Sequence, residues 1–187
     1  MIDVGDIKAD IANIEHQIRH LQSETIHTIT ILPTGKIHIV DKGQLEGLNS
    51  EVSRLSELAV HNADVLARLT DTLGEYATIE SIRARKHQLE EHITRVNNIL
   101  RVDTGILIRD GYDVNPGDPY SNERGKKIKQ TADAALAITT PLLAAATDLL
   151  ARAEGIISEF KPSGLEPQRA EQHPGVISRE KVSGVVG

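Results

Sequence analysis

Aliphatic side chains recur at heptad spacing near the start of the chain, and this spacing restricts the segment to a helix that pairs along a seam. Over residues 5–25 the repeat consists of Ile7, Ile14 and Leu21 at heptad position d and of Ile11 and Ile18 at position a. Isoleucine at both positions favours trimers or tetramers in parallel coiled coils. The pattern therefore predicts an oligomerisation seam, with a trimer favoured. A helix that packs on its own chain would show the same spacing.

The next segment, residues 26–41, changes to alternation with a period of two, which indicates strands. Isoleucine occupies the alternating positions Ile29, Ile31, Ile37 and Ile39. Between the two runs, proline presets the backbone for a turn, and glycine at position 35 can adopt the left-handed conformation of a three-residue loop. The pattern predicts a β-hairpin that pairs Ile31 with Ile37 and Ile29 with Ile39. Because an isolated two-stranded hairpin is marginal in water, we expect its isoleucine face to be an assembly contact.

Residues 43–102 are expected to form one long helix. A heptad runs from Leu45 to Leu73 and includes Asn62, a polar residue that would set the register of the seam at some cost in stability. The repeat changes phase near Gly74, which marks a kink or a phase insertion, and then resumes. If unbroken, this helix would be roughly 85 Å long and would make the molecule a rod.

The second half of the chain combines a loop with a further helical region. Residues 103–123 carry turn signals and prolines and are predicted as a loop, with a candidate short strand at 106–108. Residues 124–160 show a broad apolar face rich in alanine. Their longest uncharged stretch, 134–147, is shorter than the ~18 residues of a membrane span and is predicted as a buried helix. Pro141 suits the first position of a new helix, so the region is either two helices or one kinked helix.

Residues 161–187 contain prolines, glycines and scattered β-branched residues, and they are too polar to build a core of their own. Such a segment is suited to lie along a neighbouring subunit as an extended strand, held by main-chain hydrogen bonds and by side chains in pockets. We therefore expect a docking arm in this part of the chain, held by a neighbour; the chain's own bundle is the alternative surface. Its anchoring side chains are expected to be Val176, Ile177, Val182, Val185 and Val186.

These elements together predict a mainly α fold. It consists of an elongated antiparallel helical bundle or coiled coil over residues 1–160, with a β-hairpin at one tip, and an extended arm over residues 161–187. The hairpin reverses the chain after the first helix, and the proline-rich loop reverses it again. Aromatic residues make up only 2% of the chain, so aliphatic side chains must fill the interior, as they do in seams between helices.

No candidate catalytic, cofactor-binding or metal-binding residue emerges from the sequence, and an enzyme is not expected. His16 and His20 lie four apart but outside the seam, and His87 and His92 lie five apart, so their rings diverge on a helix. The loop at 110–118 is rich in Asp and Asn but lacks the glutamate that ends an EF-hand loop, which favours turn chemistry over calcium binding. The sequence contains no cysteine and no glycine-rich phosphate loop.

Charge and hydropathy limit the class of partner. The net charge of −6 disfavours nucleic acid, and we expect neither a leader peptide nor a membrane nor a small-molecule substrate. We expect a structural protein that binds copies of itself and other structural subunits, as in the virion, tail, fibre or injection machine of a bacteriophage. Its location would then be the virion. A cytoplasmic coiled-coil adaptor or scaffold is the first alternative, and a metal-dependent enzyme is the remote one.

Overall fold

The computed structural model describes residues 1–109 and 120–167 of the chain. Within these ranges it contains helices α1 (Val4–His27), α2 (Lys42–Leu73), α3 (Ile79–Arg109) and α4 (Glu123–Ile157), and strands β1 (Ile29–Ile31) and β2 (Ile37–Ile39). The two strands lie between α1 and α2 in the chain and form one antiparallel sheet. The predicted mainly α fold with one β-hairpin is confirmed.

Polar side chains begin and end α1. The backbone N–H of Asp6 donates to Asp3 Oδ1 at 3.0 Å, and the backbone N–H of Asp3 donates to Asp6 Oδ2 at 2.8 Å. This capping box satisfies donors that a helix start leaves free. At the other end, the hydroxyl of Thr28 donates to the Thr25 carbonyl at 2.8 Å, and Thr28 is only 2% exposed. The Thr28 carbonyl in turn accepts the Val40 N–H at 2.7 Å, which fixes the hairpin to the end of α1.

The hairpin has the predicted register and the predicted loop. Ile29 pairs with Ile39 and Ile31 pairs with Ile37. The turn closes through the Leu32 N–H, which donates to the Lys36 carbonyl at 2.8 Å. Gly35 has a φ of 77°, a left-handed conformation that glycine adopts without steric cost. The local turn chemistry therefore determined the register, as the sequence indicated.

The single helix expected over residues 43–102 is interrupted, and that prediction was wrong. α2 ends at Leu73, and Gly74 takes a φ of 56° and a ψ of −118°, which cannot continue a helix. α3 begins at Ile79, where the hydroxyl of Thr78 accepts the backbone N–H of Ser81 at 3.1 Å. α3 then continues to Arg109, so the strand considered at 106–108 is helical instead and the loop begins later than expected.

α4 bridges the break between α2 and α3. It packs along α3 in the antiparallel direction, with an ion pair of 2.6 Å between Arg83 Nη2 and Glu154 Oε1. Just beyond the end of α4, Glu159 bonds to Arg68 on α2. Both helices are thus antiparallel to α4 and run in the same direction. The hairpins α1–α2 and α3–α4 therefore join end to end in a rod, along which the 32-residue α2 and the 31-residue α3 span about 95 Å.

Buried residues recur every seven positions along each arm of the rod. On α1 they are Ile7, Ile14, Leu21 and the capping Thr28, and on α2 they include Leu55, Asn62 and Leu69. On α4 they are small, namely Gly125, Ala132, Thr139, Ala146 and Ala153. Small side chains at this position let α3 approach α4 closely. α4 is one continuous helix through Pro141, which excludes the two-helix alternative left open by the sequence.

The largest core lies where the two hairpins meet. Its buried residues are Ile7, Val65, Leu69, Leu73, Ile79, Ile82 and Ala153, and Tyr76 and Phe160 pack against them. A second, smaller cluster of Ile14, Leu21 and Leu55 lies halfway along α1–α2. The junction is thus the best-packed part of the rod, and it holds all four helices together.

Candidate functional site

The isoleucine seam of α1 packs within the chain, against α2. Ile7 and Ile14 are fully buried, and Leu21 is 8% exposed. The position a residues Ile11 and Ile18 are half-buried and pack at the edges of the two core clusters. While α1 is paired with α2, the position d side chains have no free surface for a second copy. Self-association through this seam remains a prediction, and the intrachain alternative describes the packing of the described residues.

The hairpin carries an uncovered apolar face at the tip of the α1–α2 arm. Ile31 is 71% exposed, Ile37 is 66% exposed and Ile39 is 43% exposed, whereas Ile29 is half-buried next to α1. Val40, which directly follows β2, is also apolar and is 62% exposed. The register places all four isoleucines on one face, as predicted. No other element of the described chain covers this face.

Both outer edges of the hairpin are open in the described part of the chain. The Val40 N–H donates to the Thr28 carbonyl and the Leu32 N–H donates to the Lys36 carbonyl, so position 28 with 40 and position 32 with 36 are hydrogen-bonded pairs of the sheet. The isoleucine pairs alternate with them and are therefore non-hydrogen-bonded pairs. The N–H and C=O groups of the isoleucines therefore point away from the partner strand. The described sheet has only two strands, so these groups have no strand partner. Such an edge is a ready template for another strand.

The segment after α4, residues 158–167, makes one further turn and then lies without regular secondary structure along the α1–α2 arm; we call it the strap. Asn62 holds it through a reciprocal pair of bonds: the Lys161 N–H donates to Asn62 Oδ1 at 3.2 Å, and Asn62 Nδ2 donates to the Lys161 carbonyl at 2.9 Å. The Ser163 N–H donates to Asp10 Oδ2 at 3.1 Å, and the Ser163 hydroxyl donates to Asp10 Oδ1. Leu165 then packs against the smaller core cluster. Asn62 is fully buried and has every polar atom satisfied.

An ion pair fastens the start of the strap. Glu159 accepts two hydrogen bonds from the guanidinium of Arg68, which also bonds to Asp64 Oδ2 at 2.9 Å. The hydrogen bonds from Arg68 hold the pKa of Glu159 below its ordinary value of 4.5, despite opposing desolvation. The carbonyl of Glu159 also lies 2.8 Å from Nε2 of His61. We call Asp10, Asn62 and Arg68, together with the strap residues they bond, the clasp.

The clasp escaped prediction from the sequence. The sequence identifies Asn62 as a polar residue within a seam, and its hydrogen-bond partners are Lys161 on the strap and Asp10 on α1. The docking arm was expected over residues 161–187 on a neighbouring subunit, yet its first part, residues 161–167, lies on its own chain. The anchoring residues Val176, Ile177, Val182, Val185 and Val186 lie outside the described residues, as does the Asp- and Asn-rich loop at 110–118.

α4 exposes most of its apolar surface, and the prediction of a buried helix over residues 134–147 was wrong. Within this stretch only Thr139 and Ala146 are buried, because α3 covers a single face of α4. Ile138 is 69% exposed and Leu142 is 45% exposed. By length and composition α4 is the one described helix that passes as a membrane span, with a mean hydropathy of 1.6 over its most apolar window, of which 11% is buried.

Two histidines, His20 and His87, pair with a glutamate on their own helix. His20 Nε2 lies 3.3 Å from Glu24, and His87 Nε2 lies 3.4 Å from Glu91. Within residues 1–109 and 120–167, no three His, Asp or Glu side chains come together as a metal site would require. The surfaces of interest are therefore the hairpin tip, the clasp and the outer face of α4.

These surfaces are known from geometry alone, since no protein-family model matches the chain and no curated protein or solved structure shows significant similarity to it.

Proposed function

We propose that the chain is a structural subunit of a larger assembly, which it joins through the hairpin tip and through the arm that follows the strap. The observation that carries this proposal is the tip itself, where Ile31, Ile37 and Ile39 are exposed beside two open strand edges. Proteins manage such edges because they template pairing with other chains. A partner at the tip would bury the apolar face and satisfy the outward-pointing main-chain groups.

The rod supports the same proposal. Away from the junction between the hairpins, only about one position in seven of its helices is buried, and the best-packed core lies at the junction. A shape of this kind spans distance and presents contacts at its ends, whereas a catalytic pocket needs a concave, enclosed surface. The described strap ends at Pro167 on the α1–α2 arm, from where the residues that follow can reach a neighbour.

We propose that the assembly is a bacteriophage virion, tail, fibre or injection machine. Such assemblies are built from repeated subunits, and the rod, the apolar tip and the arm would each provide a contact between them. The exposed apolar face of α4 favours a second candidate, a cellular scaffold whose side binds a different protein. A trimer stays a prediction. Because the position d residues of α1 pack against α2 in the same chain, we propose that the contact between copies lies at the hairpin.

Sedimentation velocity over a range of concentrations tests the proposal. The wild-type chain is expected to sediment as more than a monomer at tens of micromolar, and Ile31→Thr combined with Ile37→Thr is expected to shift it to a monomer. Threonine keeps the strand propensity but removes apolar surface. Val60→Thr is the matched control, because Val60 on α2 is also 71% exposed. A wild-type chain that stays monomeric, or a double variant that associates as before, contradicts the proposed tip contact.

A further inference from the structure

The strap runs toward the hairpin. Its successive residues contact progressively earlier positions of α2, first Arg68, then Asn62, and then the cluster that contains Leu55. α2 begins at the hairpin, so this direction leads to the tip. The same order holds on α1, where Ser163 bonds to Asp10 before Leu165 packs on the cluster with Ile14. The described part of the strap ends at Pro167, between the clasp and the tip.

The residues that follow are long enough to reach the tip. From Asp10 to Thr28 at the end of α1, the helix rises about 27 Å. The chain from Ser163 to residue 175 can span about 40 Å when it is extended, at about 3.3 Å per residue. Residues beyond 175 can therefore lie against the hairpin of the same molecule without any movement of the clasp.

The composition of residues 175–187 suits the surface at the tip. The segment contains two pairs of adjacent β-branched residues, Val176–Ile177 and Val185–Val186, with Val182 between them. Such residues have the highest strand propensity, and the open edges of the hairpin each offer unpaired N–H and C=O groups from two isoleucines. An added strand gains main-chain hydrogen bonds, and its side chains cover the neighbouring apolar face.

We propose that residues 175–187 dock on the hairpin of the same molecule as a third strand along one of its two open edges, which leaves the other edge for the contact between copies. The inference deepens the proposed function, since it names the surface on which the arm docks. The clasp holds the segment near the tip at an effective concentration of roughly millimolar, which favours its own hairpin over that of a free second copy.

Engineered disulfides test the contact directly, because the chain has no cysteine of its own. Ile37→Cys combined with Val182→Cys is oxidised at about 1 µM, a concentration that favours reaction within one molecule. Ile138→Cys combined with Val182→Cys is the matched control. Ile138 is 69% exposed, close to the 66% of Ile37, but it lies on α4, on the far side of the junction. Peptide mapping under non-reducing conditions identifies the bond.

The expected result is an intramolecular disulfide between positions 37 and 182 that forms at least about tenfold faster than the one between 138 and 182, reflecting effective concentration. Equal rates overturn the proposal, and a covalent dimer as the main product shows docking on a second copy and overturns the intramolecular contact. Hydrogen exchange provides a test without cysteines: amides of the hairpin should exchange faster in a chain that ends at Pro167, and unchanged exchange also overturns the proposal. Both measurements concern the monomer, so sedimentation reports separately on the proposed function.

Discussion

Asn62 shows how a polar residue in an apolar seam can be used for contact with a distant part of the chain. It stands at the same heptad position as Leu55 and Leu69, where an apolar residue would be expected. Its amide instead forms a reciprocal pair with the main chain of Lys161 and a third bond to Asp10 Oδ2 at 3.3 Å. Because the side chain is fully buried, the strap residues supply the partners that water would otherwise supply.

We expect Asn62→Ala to release the strap. The change removes both bonds to Lys161 and leaves the Lys161 N–H without its partner, so the free energy of unfolding should fall by about 1–3 kcal/mol. Urea denaturation measures this loss, and hydrogen exchange at Lys161 should accelerate. Ser163→Ala is the comparison: it removes the hydroxyl bond to Asp10, but the Ser163 N–H can still donate to Asp10, so the loss of stability should be smaller than for Asn62→Ala. An Asn62→Ala chain as stable as the wild type would show that the bonds of Asn62 to the strap contribute nothing to the fold.

Acid should loosen the start of the strap. The pKa of Glu159 is lowered by its hydrogen bonds with Arg68, so the folded state favours the ionised carboxylate. The stabilisation is present above the ordinary pKa of 4.5 and is lost as the pH falls below 4.5 through the lowered value. Hydrogen exchange or NMR at Phe160 between pH 6 and pH 3 checks this. Glu159→Gln should abolish the pH dependence, whereas Glu51→Gln, which affects another arginine pair, should not.

At the level of elements, the seven-residue repeat of small side chains on α4 determines how close α3 can approach. Ala146 is 7% exposed and Ala153 is fully buried, whereas the neighbouring Ala145 is exposed. A larger side chain in the repeat has no space without separating the helices. The same residue type therefore has opposite roles one position apart on this helix.

Ala146→Leu is expected to lower the free energy of unfolding by about 1–3 kcal/mol, the usual cost of overpacking. Ala145→Leu should change it by less than about 0.5 kcal/mol, because that position faces outward. Chemical denaturation followed by circular dichroism measures both variants. Because each replaces Ala with Leu in the same helix, the change in helix propensity is the same and the difference between them reports on packing. Equal effects at both positions would mean that α3 and α4 do not meet along this repeat.

Local patterns could be predicted from the sequence, and long-range contacts could not. The register of the hairpin follows from alternation and from the turn at Gly35, both of which lie within a short segment. The strap contact joins Ser163 to Asp10 across 153 positions, and nothing near either residue signals it. The exposure of α4 also depends on its having one helical partner in that region, which a periodic pattern does not reveal.

The interruption at Gly74 could be predicted in part: its position could be read from the sequence, but its form could not. The phase change of the heptad marked the position, but a kink and a break produce the same phase change in a sequence. The structure favours a break because Leu73, Tyr76 and Ile79 can then all pack into the junction core. The rod expected from one long helix is kept, because α4 and the strap cross the gap.

At the scale of the whole molecule, Gly74→Ala tests the break on which the rod depends. A Cβ at Gly74 would meet no atom within 4 Å, but its φ of 56° with a ψ of −118° is strained for any other residue. The substitution should destabilise the chain by about 1–3 kcal/mol. Gly47→Ala is the matched control: it also meets no atom but lies within α2, so it should stabilise by about 0.5–1 kcal/mol. Urea denaturation measures the change in the free energy of unfolding for both variants. If both substitutions stabilise the chain, or both destabilise it, the result contradicts the geometry at Gly74.

The direction of the strap also determines how the molecule would respond to mechanical load. The bonds of Lys161 to Asn62 and of Ser163 to Asp10 hold neighbouring points of a segment that lies lengthwise on the rod. A pull along the rod axis loads these bonds together, in shear, while a pull away from the rod breaks them one after another. A subunit tethered through its arm would therefore resist tension along its length and peel easily from the side, so that tethering in line with the rod gives the stronger joint.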